Sequence, residues 1–376
     1  MSDSSFDYTL SDSQATPVEP LSPRAFDFSA WGEYEASCRE QCRGFREADS
    51  GVLVHRRMRV AEVFAGGCRS PEQSLARQMG ALQKSMAYKA DVLNFLEPWY
   101  GIGTIASCYG AEYRWEGCRA PAVQSAFASV AQALAYEPVP AAETPIGRHT
   151  LEMIRYFLDV TRGLLPLSLT DTQAPLNMAG HVVGLNSLLT ELMLNEEAVR
   201  SFLMRLAGLL DEFNAVQRDM LGDTVVWPGH GFASSREFAG LGMSNDTAAM
   251  ISPESYESCV ASADCAAAKR WGGPVFHSCG NWEQLIEAVA RVPGLRMVDA
   301  AFSQQTDPSP NAGEPFRKGF AGTGVVVNAR IVGSRETVMD HVKQLWAPGM
   351  KLIVVTCCET PEEQAAVYED IHAWCT

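Results

Sequence analysis

The clearest pattern in the chain is an alternation of short apolar runs with helix-like segments in its C-terminal half. The runs PVFHS, LRMVDA, GVVVNA and MKLIVVTCC read as strands, and each is followed by apolar residues at helical spacing, as in SRETVMDHVKQLW. The strand centres lie near residues 276, 298, 326 and 353, which are 22, 28 and 27 residues apart. This period predicts parallel βα units, and four in succession predict the second half of a (β/α)8 barrel.

A doubly wound open sheet is the alternative for the same pattern. No GxGxxG motif follows an early strand, so the nucleotide-binding form of that fold lacks its main support. We therefore expect an α/β fold, a (β/α)8 TIM barrel with an N-terminal helical extension, formed as one domain by residues 26–376. Residues 1–25 lack apolar periodicity and are predicted to be a flexible or loosely docked leader.

Other segments predict helices more weakly. Helices are expected over residues 71–90, 121–136 and 194–221, the second because Pro121 suits a first helical turn. The run LLPLSLTD (164–171) is predicted to be a buried strand. The segment SPESYESCVASADCAAAKRW begins with an N-cap serine followed by proline, and it predicts another helix. NWEQLIEAVARV predicts the helix after PVFHS.

Composition narrows the functional classes. The 376-residue chain is 47% hydrophobic and carries a formal charge of −15, without a long Lys/Arg block, which argues against a nucleic-acid partner. Eleven cysteines in a chain of this size, without a secretory leader, are predicted to be reduced thiols. The N-terminus has no apolar core of a signal peptide, and no window reaches the roughly 18 apolar residues of a membrane span. We expect a cytoplasmic protein that does not contact the membrane.

Two groups of metal-ligand residues fall at predicted strand ends. His277 and Cys279 follow one apolar run, and Cys357 and Cys358 end the last strand. In a barrel the carboxyl ends of all strands open onto one mouth. Imidazole and thiolates are the ligands that zinc prefers, with a fourth position open for an exchangeable group. The alternative is that the cysteines pack as small apolar residues.

Several other residues are weaker candidates. Asn245 and Asp246 precede a helix, where a carboxylate could hold substrate or form an ordinary helix-entry turn. Asp299 ends a strand and either lines the mouth or caps the next loop. His230 lies in a Gly/Pro loop, which suits a lid or an exposed surface. Trp99, Tyr100 and Tyr113 form either a pocket wall or core.

The C-terminal motifs resemble the uroporphyrinogen decarboxylase superfamily. DTAAMISPESYESCVASADCAAAKRWGGPVFHSCGNWEQLIEAV is similar to that family's acidic loop, Ser-Pro-Glu helix start and strand ending in His-x-Cys-Gly. VVVNARIVGSRETVMDHVKQLW and MKLIVVTCCETPEEQAAVYEDI look like its last two βα units. The resemblance covers about residues 75–375.

Two branches of that superfamily give different functions. The decarboxylases carry an arginine-rich RQAGRY-like segment, and SLARQMGALQKSMAY keeps only Arg77-Gln78 of it. A substrate with many carboxylates needs several cationic partners, so this departure argues against porphyrinogen chemistry. The other branch is the cobamide-dependent methyltransferases, similar to methylcobamide:coenzyme M methyltransferase. Their zinc motif falls here on His277, Cys279 and one of Cys357 and Cys358. The loop after this pair is shorter than the family's, which leaves the ligand register open.

The resemblance implies zinc-dependent transfer of a methyl group between a corrinoid and a small thiol or methylated substrate. No Asp-x-His-x-x-Gly signature of cobalamin binding is present, so a small partner protein is expected to carry the corrinoid. Asp246 and Asn245 are the predicted catalytic residues of the mouth. Two alternatives stay open: a metal-free decarboxylase-like lyase, and a non-catalytic ligand-binding homologue.

Overall fold

The computed structural model of the protein describes residues 14–117, 119–171 and 173–376. Its centre is a parallel sheet of six strands. Two short antiparallel strands form a separate hairpin. The strands are β1 (Gly51–Arg56), β2 (Glu112–Arg114), β3 (Ala122–Gln124), β4 (Leu241–Ser244), β5 (Pro274–His277), β6 (Met297–Ala301), β7 (Val326–Arg330) and β8 (Lys351–Thr356).

The sheet order is β1-β8-β7-β6-β5-β4, and every pair in it is parallel. β2 and β3 make the hairpin. All six residues of β8 are buried, as expected for a strand covered on both faces. The four strands predicted from the 22–28-residue period are confirmed as neighbours β5 to β8.

Helices surround this sheet. They are α1 (Phe28–Glu47), α2 (Pro71–Ser85), α3 (Val130–Ala135), α4 (Pro145–Thr161), α5 (Pro175–Val183), α6 (Leu185–Leu194), α7 (Glu196–Leu221), α8 (Pro253–Ser255), α9 (Ala261–Ala268), α10 (Ile286–Ala290), α11 (Gly313–Phe320), α12 (Arg335–Leu345) and α13 (Pro361–Trp374).

Local signals set where several of these helices begin. Ser334 accepts a hydrogen bond from the Thr337 backbone N–H and caps α12. Thr360 and Glu363 form a reciprocal capping box at α13, with Pro361 at the first helical position. These caps fix the turns between β7 and α12 and between β8 and α13. The chain therefore leaves the carboxyl end of each strand in a defined direction.

The sheet is an α/β sheet but is not closed within the described part of the chain. β1 and β4 are its two edges. Isolated parallel bridges lie beyond these edges, joining His55 to Val92, Leu96 to Leu167, Leu167 to Val225, and Gln173 to Ser244.

The N-terminal segment predicted as a leader lies partly outside the described residues, which begin at residue 14. Its described part contacts the rest of the chain: Thr16 donates to the Arg59 carbonyl and Leu21 to the Ala76 carbonyl. The predicted N-terminal helical extension corresponds to α1, which packs Trp31 into the core.

Three predicted elements differ from the structure. The segment 121–136 is not one helix, because its first residues pair with β2 as strand β3 and the helix begins only at Val130. The segment 164–171 forms bridges through Leu167 and not a full strand. The helix predicted from Ser252 is interrupted by a π turn over residues 256–260. No helix among the described residues is both long and apolar enough to cross a membrane.

Candidate metal centre

The sheet register brings four polar residues of neighbouring strands into one row. Ser244 pairs with His277, His277 with Asp299, and Asp299 with Asn328 across four neighbouring strands. Paired residues on adjacent strands point to the same face of a sheet, so their side chains meet. Ser244 and His277 are the last residues of β4 and β5, at the carboxyl edge where parallel α/β folds place ligands, whereas Asp299 and Asn328 lie in the middle of β6 and β7.

Asp246, His277 and Cys279 form a compact group at this edge. One ligand atom from each lies within 4.8 Å of the others. The Cys279 Sγ is 3.4 Å from His277 Nε2, and that nitrogen is 3.5 Å from Asp246 Oδ1. The Cys279 backbone N–H donates to the same carboxylate oxygen at 2.7 Å. Cys279 is exposed and the Asp246 side chain is 43% exposed, so the group is open to an incoming ligand.

A buried second layer orients the imidazole. Asp299 Oδ1 lies 2.5 Å from His277 Nδ1, so the Nδ1 proton is held and Nε2 faces Cys279 and Asp246. Arg330 Nε donates to Asp299 Oδ1 at 2.9 Å and the Asn328 amide donates to Oδ2 at 2.5 Å. This carboxylate–imidazole arrangement is the one that orients histidine ligands in metal sites.

Charges in the two layers are strongly coupled. Burial raises the pKa of Asp299, but Arg330 and His277 lower it more, to about 2. Burial lowers the pKa of His277, but Asp299 and Cys279 raise it to about 10. A protonated imidazole cannot bind a metal, so binding at this group would displace a proton.

The remaining predicted residues occupy other positions. Asn245 is buried and its amide donates to Asp264 Oδ2 at 2.9 Å, so it does not reach the group. Cys357 and Cys358 follow β8, with β6 and β7 between that strand and β5. Arg56 Nε donates to the Cys358 carbonyl at 2.7 Å, and burial raises the pKa of the Cys358 thiol to about 11. Among the described residues, the metal-ligand group contains neither cysteine of this pair.

The donor set can be compared with zinc geometry. Zn–S near 2.3 Å and Zn–N near 2.0–2.1 Å at tetrahedral angles put the two ligand atoms about 3.6 Å apart, and a nitrogen and a carboxylate oxygen about 3.4 Å apart. The separations here are 3.4 Å for Cys279–His277 and 3.5 Å for His277–Asp246. The donor atoms, these two separations and the carboxylate behind the imidazole fit a zinc ion, and the third pair, Cys279 and Asp246, lies within 4.8 Å.

Two residues of the second layer were not predicted. Asn328 and Arg330 are two apart at the end of the buried run VVVNAR. Polar residues at i and i+2 on an apolar strand face the same side, and this signal was available in the sequence. Asp299 was predicted either to line the mouth or to cap the next loop, and it lies beneath His277.

Asp264 gives a testable pH dependence beneath the site. It accepts hydrogen bonds from Asn245 and Tyr256 in the interior, and burial raises its pKa to about 7. The folded state then holds a proton that the unfolded state loses near pH 4. This proton adds up to about 4 kcal/mol to the free energy of unfolding. The added stability is fully present below about pH 4 and is lost as the pH rises to 7.

We expect Asp264→Asn to flatten this slope, because an amide oxygen accepts the same hydrogen bonds without titrating. The measurement is urea unfolding at several pH values between 4 and 7, in the presence of a chelator. Asp340→Asn on the exposed face of α12 is the matched control. Equal slopes for wild type and Asp264→Asn would contradict the prediction.

Comparisons with known proteins find similar solved structures but no similar sequence. No family model matches the chain, and no curated protein matches its sequence. A solved structure described as a methyltransferase from Methanosarcina mazei is similar in fold, with a TM-score of 0.61 and 13% sequence identity. The match covers 90% of this chain and 98% of that chain. At this identity the match establishes a shared fold.

Proposed function

We propose that this protein is a zinc-dependent methyltransferase that moves a methyl group between a corrinoid, carried by a partner protein, and a small thiol or methylated substrate. The observation that carries the proposal is the ligand spacing of Asp246, His277 and Cys279 over a carboxylate-held imidazole. The methyltransferase from Methanosarcina mazei, similar over nearly its whole length, supports the same class of reaction.

The fold supports this proposal in one further respect. We infer that the isolated bridges at Val92 and Leu96, and those at Leu167 and Gln173, mark two irregular strands that complete a (β/α)8 barrel with the six regular ones. In that arrangement the residues after those segments face the same mouth as His277.

His277 and Cys279 would hold the zinc, and the third ligand is either Asp246, from its position, or Cys357 or Cys358, from the sequence. Either choice adds one negative charge to that of Cys279, so the zinc site carries a net charge near zero. Bound zinc lowers the pKa of a coordinated thiol and leaves a thiolate at neutral pH. The chain itself supplies orientation: Asp299 holds the His277 ring, and the Cys279 backbone N–H and Asn177 amide hold the Asp246 carboxylate.

The test is metal content together with methyl transfer. Protein purified without added metal is expected to contain one zinc per chain and to demethylate methylcobalamin in the presence of small thiols, with loss of the methyl–cobalt absorbance. His277→Ala/Cys279→Ala is expected to lose both properties and keep its circular dichroism spectrum. Cys265→Ala, half-buried on α9, is the matched control.

Folded wild-type protein without zinc would contradict the proposal and favour a metal-free lyase. Zinc-containing protein that transfers no methyl group with any thiol or methylated donor would favour a non-catalytic ligand-binding protein.

A further inference from the structure

A second group of titratable side chains lies outside the candidate metal centre. His230 Nδ1 is 3.2 Å from Glu97 Oε1, and His230 Nε2 is 3.9 Å from Asp171 Oδ1. The three side chains are 15%, 15% and 5% exposed. An imidazole beside carboxylates is a combination that general acid–base catalysis uses.

The three side chains are positioned by neighbouring bridged segments and by a glycine in the His230 loop. Glu97 and Asp171 follow the bridged segments at Leu96 and Leu167, and His230 follows the one at Val225. Gly231 has φ +79°, a left-handed conformation that favours glycine, and its backbone N–H donates to Glu97 Oε1 at 3.3 Å. The loop is thereby fastened to the carboxylate that faces its histidine.

Both carboxylates are held by other polar groups. The Trp99 indole N–H lies 3.4 Å from Asp171 Oδ2, and the Gln173 amide donates to Asp171 at 3.0 Å. Burial raises the pKa of Glu97, but His230 and Arg57 lower it more, so this carboxyl ionises below its ordinary range. Arg59 stacks on Phe64, whose ring packs against His230, so the charged groups around the histidine are Glu97, Asp171, Arg57 and Arg59.

Two paths connect this group to the metal-ligand residues. Along the first, the Gln173 side-chain oxygen accepts from the Asn177 amide at 2.9 Å, and that amide lies 3.2 Å from Asp246 Oδ2. The path runs from Asp171 to Asp246 through hydrogen bonds.

Along the second path, the Ala233 backbone N–H donates to Asn328, which donates to Asp299 beneath His277. The Phe232 ring also meets the His277 ring edge-on, with centroids 6.1 Å apart. The His230 loop therefore forms one wall of the same site.

We propose that His230 is the acid–base residue of this site, exchanging a proton with the substrate heteroatom that gains or loses the methyl group, while Glu97 and Asp171 position it. This inference rests on the proposed methyl transfer. It names the substrate class as a thiol, or a methylated heteroatom compound, whose leaving or attacking atom carries a proton in one of its two forms.

The proton follows from the balance of the reaction. Transfer to a thiol forms an S–C bond and breaks the C–Co bond of the methylated corrinoid, with both electrons left on cobalt. The thiol proton must leave, and His230 accepts it. In the reverse direction the heteroatom–carbon bond breaks, its electron pair stays on the heteroatom, and His230 returns the proton.

The first test counts protons and does not depend on turnover. Binding of 2-mercaptoethanol to the zinc-containing protein is followed by titration calorimetry at pH 7 in phosphate and in Tris, whose ionisation enthalpies differ. Wild type is expected to release less than one proton to the buffer per thiol, because His230 accepts part of it. His230→Gln is expected to release about one. Equal proton release by the two proteins would overturn the inference.

The second test is kinetic. His230→Ala is expected to keep its zinc and lose about 10²–10⁴-fold in methyl transfer from methylcobalamin, with rescue by added imidazole and a flattened pH–rate profile. Glu97→Gln is expected to alter that pH–rate profile, which a purely structural role would leave unmoved. His341→Ala on α12 is the matched control.

The outcomes separate the two proposals. An unchanged rate and pH profile in zinc-containing His230→Ala overturns the role of His230 and leaves the methyltransferase function standing. A wild-type protein without zinc and without methyl transfer overturns both.

Discussion

Asp299→Asn is expected to destabilise the protein by about 3–5 kcal/mol, because the substitution leaves Arg330 as a buried charge without its partner. Asp299 is 1% and Arg330 7% exposed. The carboxylate accepts from three donors, on His277, Asn328 and Arg330. An asparagine has one oxygen, so its NH₂ group must face one of these donors.

The same substitution is expected to weaken zinc binding by about 10–100-fold, since the His277 ring loses the group that fixes its orientation. The measurements are urea unfolding of the chelated protein and competition for zinc with a chromophoric chelator. The stability that the ionised Asp299 adds to the folded state should also be lost in acid, because its pKa of about 2 in the folded protein lies below the ordinary value. This part of the free energy of unfolding is present above about pH 4 and disappears as the pH falls toward 2.

Asp370→Asn is the matched control for this prediction. Asp370 also accepts from an arginine Nε, that of Arg335, at 2.5 Å, but the arginine is 59% exposed. Exposed pairs of this kind contribute about 1 kcal/mol or less. Equal destabilisation by the two substitutions would show that Arg330 and Asp299 do not behave as a buried pair.

The sequence predicts the part of the fold in which each strand and its helix are neighbours along the chain. β5 to β8 follow the apolar period because parallel βα units repeat at a short distance. The segment from Pro121 was predicted incorrectly, since pairing with β2 overrides its helical signal. Between Val92 and Val226 the described residues form only the β2–β3 hairpin and no strand of the parallel sheet, so the parallel bridges there depend on tertiary packing.

The candidate site also contains residues whose proximity follows from the sequence and residues that only the fold brings together. His277 and Cys279 are two residues apart at a strand end, so their proximity is local and predictable. Asp246 was predicted at the mouth, but its 3.5 Å approach to His277 depends on the turn after β4. Glu97 lies outside the predicted elements and Asp171 ends the predicted strand 164–171, and only the folded chain brings both to His230.

The second prediction with a large expected effect concerns which residue is the third zinc ligand. We expect Asp246→Asn to weaken zinc binding by more than the roughly 10–100-fold that is lost with a residue that only orients a ligand. The reason is that Asp246 Oδ1 lies 3.5 Å from His277 Nε2, the separation expected of two atoms bound to one zinc ion. Cys357→Ser and Cys358→Ser are expected to have smaller effects, since neither thiol belongs to the group within 4.8 Å.

Zinc dissociation constants of the three variants, measured by competition with a chromophoric chelator, check this order. Asp307→Asn is the matched control. The Asp307 carboxylate accepts a hydrogen bond from the Gly280 backbone N–H, so this variant disturbs the same loop without removing a ligand. Asn281→Asp is unsuited, because the Asn281 amide donates to Glu283. A larger loss for one of the two cysteine variants would contradict the order. Since neighbouring residues of an extended chain point to opposite sides, only one of them should then show it. That result would return the third position to a thiolate from the end of β8 and make Asp246 a neighbour that holds the Cys279 backbone in place.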